Sequence, residues 1–126
     1  MNSTFTKILR FILAVILLFF GLNKFIDFSF MPLPQLPEAA SNFMSSLSAS
    51  GYVLPLVGIL EIFVGVLLFL RKWVPFALIL LAPISLNILL FHLFLDLPEI
   101  LPAILIVSIN IILIYKYWKS YKPLFQ

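Results

Sequence analysis

The chain has 126 residues, of which 63% are hydrophobic and 10% charged, with a net charge of +3 and no cysteine. A typical soluble domain is about 45–50% apolar and about 25% charged, so this composition excludes a soluble enzyme, a nucleic-acid-binding protein and a disordered tail. The lack of cysteine excludes disulfides, thiol redox chemistry and iron–sulfur ligation by this chain. We expect residues 1–126 to form a single transmembrane domain with no metal site and no intrinsic cofactor.

Four apolar segments are long enough to cross the hydrocarbon core of a bilayer, which takes about 20 helical residues. The predicted spans are residues 8–26, 52–70, 73–95 and 100–118. The last three spans are joined by very short turns, and connections this short require antiparallel neighbours. The sequence therefore predicts an all-α fold, an integral membrane bundle of four transmembrane helices.

The loop between the first and second spans, residues 27–51, is predicted to contain a short amphipathic helix. Its first part is rich in proline and should be extended, whereas Pro37 and Glu38 suit a first helical turn and Gly51 a helix end. Apolar residues recur at helical spacing on one face, at Leu36, Ala40, Phe43, Met44 and Leu47. We expect this helix to lie in the outer interface, either as a lid over a cavity or as a cap on the bundle.

The basic residues predict the orientation, because Lys and Arg concentrate on the cytoplasmic side of membrane proteins. With four spans, all basic residues except Lys24 fall on one side: Lys7, Arg10, Arg71, Lys72, Lys116, Lys119 and Lys122. The other side carries the acidic residues Asp27, Glu38, Asp96 and Glu99. We therefore expect a multi-pass protein of the bacterial inner membrane with both termini in the cytoplasm.

Glu61 is the main candidate for a functional residue, because a charge in hydrocarbon costs about 2.5–3.5 kcal/mol even on insertion scales. It lies midway along the second span, and Gly58 and Gly65 share its helical face. Small residues allow a second helix to approach closely. We therefore expect the Glu61 side chain to point into the bundle.

Other polar residues of the spans are candidate partners for Glu61. Lys24 can extend outward to water or inward to Glu61, and His92 lies one turn before Asp96, which can orient the imidazole ring. The complete candidate cluster is Asn23, Lys24, Glu61, Asn87, His92, Asp96 and Asn110, and no catalytic residue is assigned. Two interpretations are open. In the first, the cluster binds an amphiphile such as a quinone, and Glu61 and His92 move protons. In the second, a protonated Glu61 forms a hydrogen bond to Asn87 or Asn110 and so links two helices.

Three stretches of the spans form an ordered set. They are Gly21-Leu22-Asn23-Lys24-Phe25, then Leu56-Val57-Gly58-Ile59-Leu60-Glu61 followed by Gly65, and then Leu81-Ala82-Pro83-Ile84 followed by Asn87-Ile88 and Phe91-His92. Together they resemble the DoxX-like family of small four-span membrane proteins. The similarity covers nearly the whole chain, and the family-like polar positions are Lys24, Glu61, Asn87 and His92. The resemblance implies an accessory subunit of a quinone-linked membrane oxidoreductase, with a quinone or lipid as ligand and electrons carried by a partner or free quinone.

Two other functions remain open from the sequence. One is an assembly or chaperone-like module that holds a helix of another membrane protein, and the other is a structural protein or scaffold. The expected partners are accordingly the lipid bilayer, a membrane redox partner or another membrane protein, and a second copy of the chain.

Overall fold

The computed structural model describes residues 3–25 and 37–126, and every structural statement below refers to those residues. Their helices are α1 (Thr4–Phe25), α2 (Glu38–Ala49), α3 (Val53–Leu70), α4 (Val74–Leu95), α5 (Leu101–Lys116) and α6 (Trp118–Tyr121), with 3-10 turns at Leu97–Glu99 and Lys122–Phe125. The all-α prediction is confirmed. The predictions for Asp27, Leu36 and the prolines before Pro37 fall outside the described residues.

Three helices, α1, α3 and α4, are each long and apolar enough to cross a membrane. The fourth candidate is α5 together with the segment Trp118–Phe125, which is bent by 74° from it. Alone, α5 is roughly 24 Å long at 1.5 Å per residue, and the chain leaves the helical conformation at Tyr117. The hydroxyl of Tyr121 donates a hydrogen bond to the carbonyl of Pro75 at 2.6 Å, so the bent segment is fixed to the start of α4. The sequence did not predict this bend.

The spanning helices form a closed up-and-down bundle in which α1 packs mainly on α3, α4 on α5, α3 on α4 and α1 on α5. Both ends of the described chain lie at the same end of the bundle, where the Lys116 ammonium is 5.9 Å from the centre of the Phe5 ring. At this end the Arg10 Nε donates to the carbonyl of Leu68 in the last turn of α3. We call this the termini end, and the opposite end, with α2 and the α4–α5 turn, the loop end.

Backbone contact between α1 and α3 depends on small residues. A Cβ atom placed on Gly21 would lie 2.9 Å from the carbonyl oxygen of Gly58, and one on Gly65 would lie 3.2 Å from that of Ala14. Ala14 and Gly21 are seven residues apart, as are Gly58 and Gly65, so each helix presents two small residues two turns apart on one face. The prediction that the glycines of α3 admit a neighbouring helix is confirmed.

The predicted amphipathic helix is confirmed as α2, which starts after Pro37 and lies at the loop end against α3 and α4. Ala40 is buried, and the ring of Phe43 lies 5.7 Å from the ring of Phe91 on α4. The apolar face of α2 therefore contacts the bundle, and its serine-rich face is exposed.

Candidate functional site at the loop end

A buried ion pair joins α1 to α3. The Lys24 ammonium lies 2.7 Å from Glu61 Oε1, and the side chain of Glu61 is 0% exposed while that of Lys24 is 17% exposed. Glu61 therefore points into the bundle as predicted, and of the two directions open to Lys24, the inward one is observed.

The direction of the helices brings the two side chains together. Side chains on a helix lean toward the helix N-terminus. The N-terminus of α1 is at the termini end and that of α3 is at the loop end, so Lys24 leans toward the middle of the bundle and Glu61 leans toward the loop end. Gly58 allows the helices to approach closely here, since a Cβ there would lie 2.9 Å from Phe25 Cε2 and 3.3 Å from the carbonyl oxygen of Gly21.

The Glu61 carboxylate is paired with one cation and has no second partner among the described residues. Both of its oxygens are buried, and the Lys24 ammonium is 2.7 Å from Oε1. Oε2 has no hydrogen-bond partner in the part of the chain that the structure describes. A carboxylate accepts several hydrogen bonds, so this group has unused acceptor capacity.

His92 pairs with Asp96, as its spacing predicts. Its Nδ1 is 3.6 Å from Asp96 Oδ2 and 3.3 Å from the Asp96 carbonyl oxygen. The Asp96 side chain is 3% exposed, and its Oδ2 has no hydrogen-bond partner within the described ranges. No contact between described residues links His92 to Glu61, so the loop end contains two separate polar pairs. The small-residue face turns Glu61 toward α1, whereas His92 is on α4 next to Phe91.

Asn110 is an interhelical link, but its partners are on α4 rather than α3. Its Nδ2 donates to the carbonyl of Leu78 at 3.1 Å, and its Oδ1 accepts from the hydroxyl of Ser85 at 2.9 Å. The hypothesis that Asn110 hydrogen-bonds to Glu61 is therefore wrong, because the buried face of α4 supplies both of its contacts.

Asn87 is not part of the bundle interior. Its side chain is exposed on α4, and Nδ2 donates to the carbonyl of Pro83 one turn earlier in the same helix at 3.1 Å. The hypothesis that Asn87 binds Glu61 is thus also wrong. Asn23, by contrast, is buried on α1 beside Lys24.

An apolar groove of about 330 Å³ lies between α1 and α5 and is lined by Ile16, Phe20, Leu101, Pro102 and Leu105. Asn23 follows Ile16 by two helical turns and so lies on the same side of α1, toward the loop end. The groove thus leads along α1 toward the turn that carries Asn23 and Lys24. Sequence reasoning missed it, since no pattern in the sequence shows that α1 and α5 are neighbours.

The fold and this buried pair define a small polytopic helical membrane protein. A family model described as DoxX matches residues 5–93, and the chain belongs to the DoxX family. The match includes Lys24, Glu61, Asn87 and His92, whereas Asp96 and Asn110 lie beyond it. No protein with curated annotation and no solved structure is significantly similar to the chain.

Proposed function

We propose that this DoxX-family protein is an accessory subunit of a quinone-linked membrane oxidoreductase and binds the head group of a quinone, or of another lipid, at the Lys24–Glu61 pair. The observation that carries the proposal is the Glu61 carboxylate, which is buried and paired with Lys24 through Oε1, while its Oε2 has no hydrogen-bond donor among the described residues. Family membership supports a membrane location and no more specific role.

The two side chains suit both forms of a quinone head group. The Lys24 ammonium is a donor for a quinone carbonyl, and the Glu61 carboxylate is an acceptor for a quinol hydroxyl. Because Lys24 is partly exposed whereas Glu61 is fully buried, a ligand would reach the pair from the side of Lys24.

The groove between α1 and α5 suits the apolar part of the same ligand. Its lining is aliphatic and aromatic, as in most sites for apolar ligands. An isoprenoid or acyl chain lying in the groove would place its polar end near Asn23 and Lys24.

A purely structural role would not require charges at these positions. Replacing a buried ion pair by apolar residues of similar volume is often neutral or stabilising. The pair is therefore better explained by a ligand that uses its donor and acceptor than by a contribution to stability.

We propose the bacterial inner membrane as the location, with the termini end in the cytoplasm, since that end carries every basic residue except Lys24. The ligand site then lies toward the periplasmic side. Because α2 contacts α3 and α4 there, it acts as a cap on the bundle or as a lid for the ligand.

The test is mass spectrometry of the organic extract of the protein purified in mild detergent. We expect stoichiometric quinone or lipid in the wild type and in the control Glu99→Gln, which removes an exposed carboxylate from the same end. Glu61→Gln should lower the content by tenfold or more. His92→Ala should lower it less, because the described contacts of His92 do not reach Glu61. Wild-type content in Glu61→Gln would contradict the proposal.

A second candidate function, an assembly or scaffold module that holds a helix of another protein, is favoured by the exposed side chain of Asn87. It predicts purification without bound lipid and with a membrane partner. That partner would be lost in Asn87→Leu and retained in Glu61→Gln.

A further inference from the structure

Asn87 places a polar side chain on the outside of the bundle, within the membrane. It is eight residues from the end of α4 at Leu95, roughly 12 Å along the helix. One N–H of its amide is bonded to the Pro83 carbonyl, and Oδ1 and the second N–H have no partner within residues 3–25 and 37–126. Exposing amide groups without hydrogen-bond partners to hydrocarbon costs free energy. We therefore expect this side chain to have a partner outside the described residues.

The outward face of α4 has the spacing of a helix-packing seam. Residues spaced three or four positions apart through Asn87 are exposed or half-buried, at Phe76, Leu80, Pro83, Leu90 and Phe94. This is the pattern by which one helix packs along another. Asn87 lies near the middle of this seam.

The other spanning helices present no comparable group. The outward residues of α1 after Lys7 and all those of α3 are apolar. On α5, Tyr115 and Lys116 are exposed at the termini end, and Ser108 is exposed within the span, but a serine hydroxyl can be satisfied by a carbonyl of its own preceding turn. An asparagine amide has more donors and acceptors than its own helix can satisfy.

We propose that this face of α4 binds α4 of a second copy of the chain, forming a symmetric dimer in which the two Asn87 side chains meet. An amide is both donor and acceptor, so two copies related by a two-fold axis along the membrane normal form reciprocal Nδ2–H to Oδ1 hydrogen bonds. Two copies inserted in the same orientation place Asn87 at the same depth. A single asparagine at such a seam fixes register and oligomeric state in coiled coils.

Cysteine cross-linking tests the seam directly, because the chain has no cysteine. The variants Leu90→Cys and Phe94→Cys place a thiol on the seam. The controls Ile59→Cys and Leu56→Cys place one at similar depth on the outward face of α3. Oxidation in native membranes should give a disulfide-linked dimer of the chain from the α4 variants and not from the α3 variants, since a disulfide requires Cα atoms within about 7 Å. No dimer from the α4 variants, equal dimer from the α3 variants, or cross-linking of α4 to a different protein would each overturn the proposal.

The role of Asn87 is tested by expressing two differently tagged copies together, purifying one through its tag and measuring capture, the amount of the other copy that co-purifies. Asn87→Leu should weaken capture by about 7- to 300-fold, which corresponds to the loss of the two reciprocal interhelical hydrogen bonds in a membrane. Ser108→Leu, which removes the exposed hydroxyl of α5, should leave capture unchanged. Undiminished capture of Asn87→Leu would overturn the proposal. The inference is independent of the ligand site, so Asn87→Leu should retain any bound quinone.

Discussion

The Lys24 ammonium lies 2.7 Å from Glu61 Oε1 because the two side chains lean toward each other from antiparallel helices. The contact depends on the close approach of α1 and α3, where a Cβ on Gly21 would lie 2.9 Å from the carbonyl oxygen of Gly58. The position of a polar group in the middle of the membrane thus depends on how tightly two spans pack.

Removing one member of the pair should have unequal effects. Lys24→Met leaves the buried carboxylate without a counter-charge and should lower the free energy of unfolding by about 3 kcal/mol. Glu61→Gln should cost less, about 1 kcal/mol, since the freed lysine can extend to the loop end. The measurement is SDS-induced unfolding in mixed micelles, followed by circular dichroism.

The double variant, with methionine at both positions, is the control for this prediction. Its stability should be close to that of the wild type, because apolar residues replace a buried ion pair at little cost. A double variant as unstable as Lys24→Met would show that the pair itself stabilises the bundle.

The α1–α3 contact should not tolerate even one added methyl group at Gly21. A Cβ there would lie 2.7 Å from Ile62 Cγ1 and 2.9 Å from the backbone oxygen of Gly58. Since a backbone atom cannot rotate away, we expect Gly21→Ala to destabilise the protein by about 1–3 kcal/mol, despite the better helix propensity of alanine. Thermal unfolding in detergent measures this, with the outward-facing Val66→Ala as control. Equal stability of Gly21→Ala and wild type would show that the helices are farther apart.

Asn87 and Asn110 both lie in predicted spans, but the two should respond differently to substitution by leucine. Asn110→Leu removes two hydrogen bonds between α4 and α5 and should cost about 1.2–3.4 kcal/mol of stability. Asn87→Leu removes only a bond within α4 and should leave the stability of the monomer in detergent unchanged. Unfolding of both variants under identical conditions checks this, and equal losses would contradict the assigned contacts.

Hydropathy and short turns were enough to predict the helical bundle, and Gly58 and Gly65 were enough to predict the inward direction of Glu61. These predictions succeed because they depend on the length of each apolar segment, on the free energy of transfer of its side chains from water to lipid, and on the repeat of residues along a single helix. Lys24 was a candidate partner because it lies at the loop end of a neighbouring span.

The partners of Asn87, Asn110 and His92 were not predictable in the same way. The sequence of α4 is apolar on nearly every face, so its pattern does not determine which face turns inward. The observed rotation buries Ser85 against Asn110 and leaves Asn87 outside. For the same reason, the separation of His92 from Glu61 and the groove between α1 and α5 could not be inferred without knowing the lateral order of the helices.

The proposed orientation predicts the outcome of reporter fusions in a bacterial inner membrane. A fluorescent protein fused after Gln126 should fold and fluoresce, whereas alkaline phosphatase at the same place should be inactive, since the basic termini end is expected in the cytoplasm. Alkaline phosphatase inserted after Ser45, on the exposed face of α2, should be active. The reverse pattern would place the Lys24–Glu61 pair toward the cytoplasm.

The charge-swapped variant, Lys24→Glu combined with Glu61→Lys, tests the proposed ligand site most directly. It keeps an ion pair between α1 and α3 but exchanges the donor with the acceptor, so we expect near-wild-type stability. Mass spectrometry of the purified variant should show at least a tenfold loss of bound quinone or lipid relative to wild type. Wild-type ligand content in the swapped protein, or no bound ligand in the wild type, would contradict a binding role for this pair.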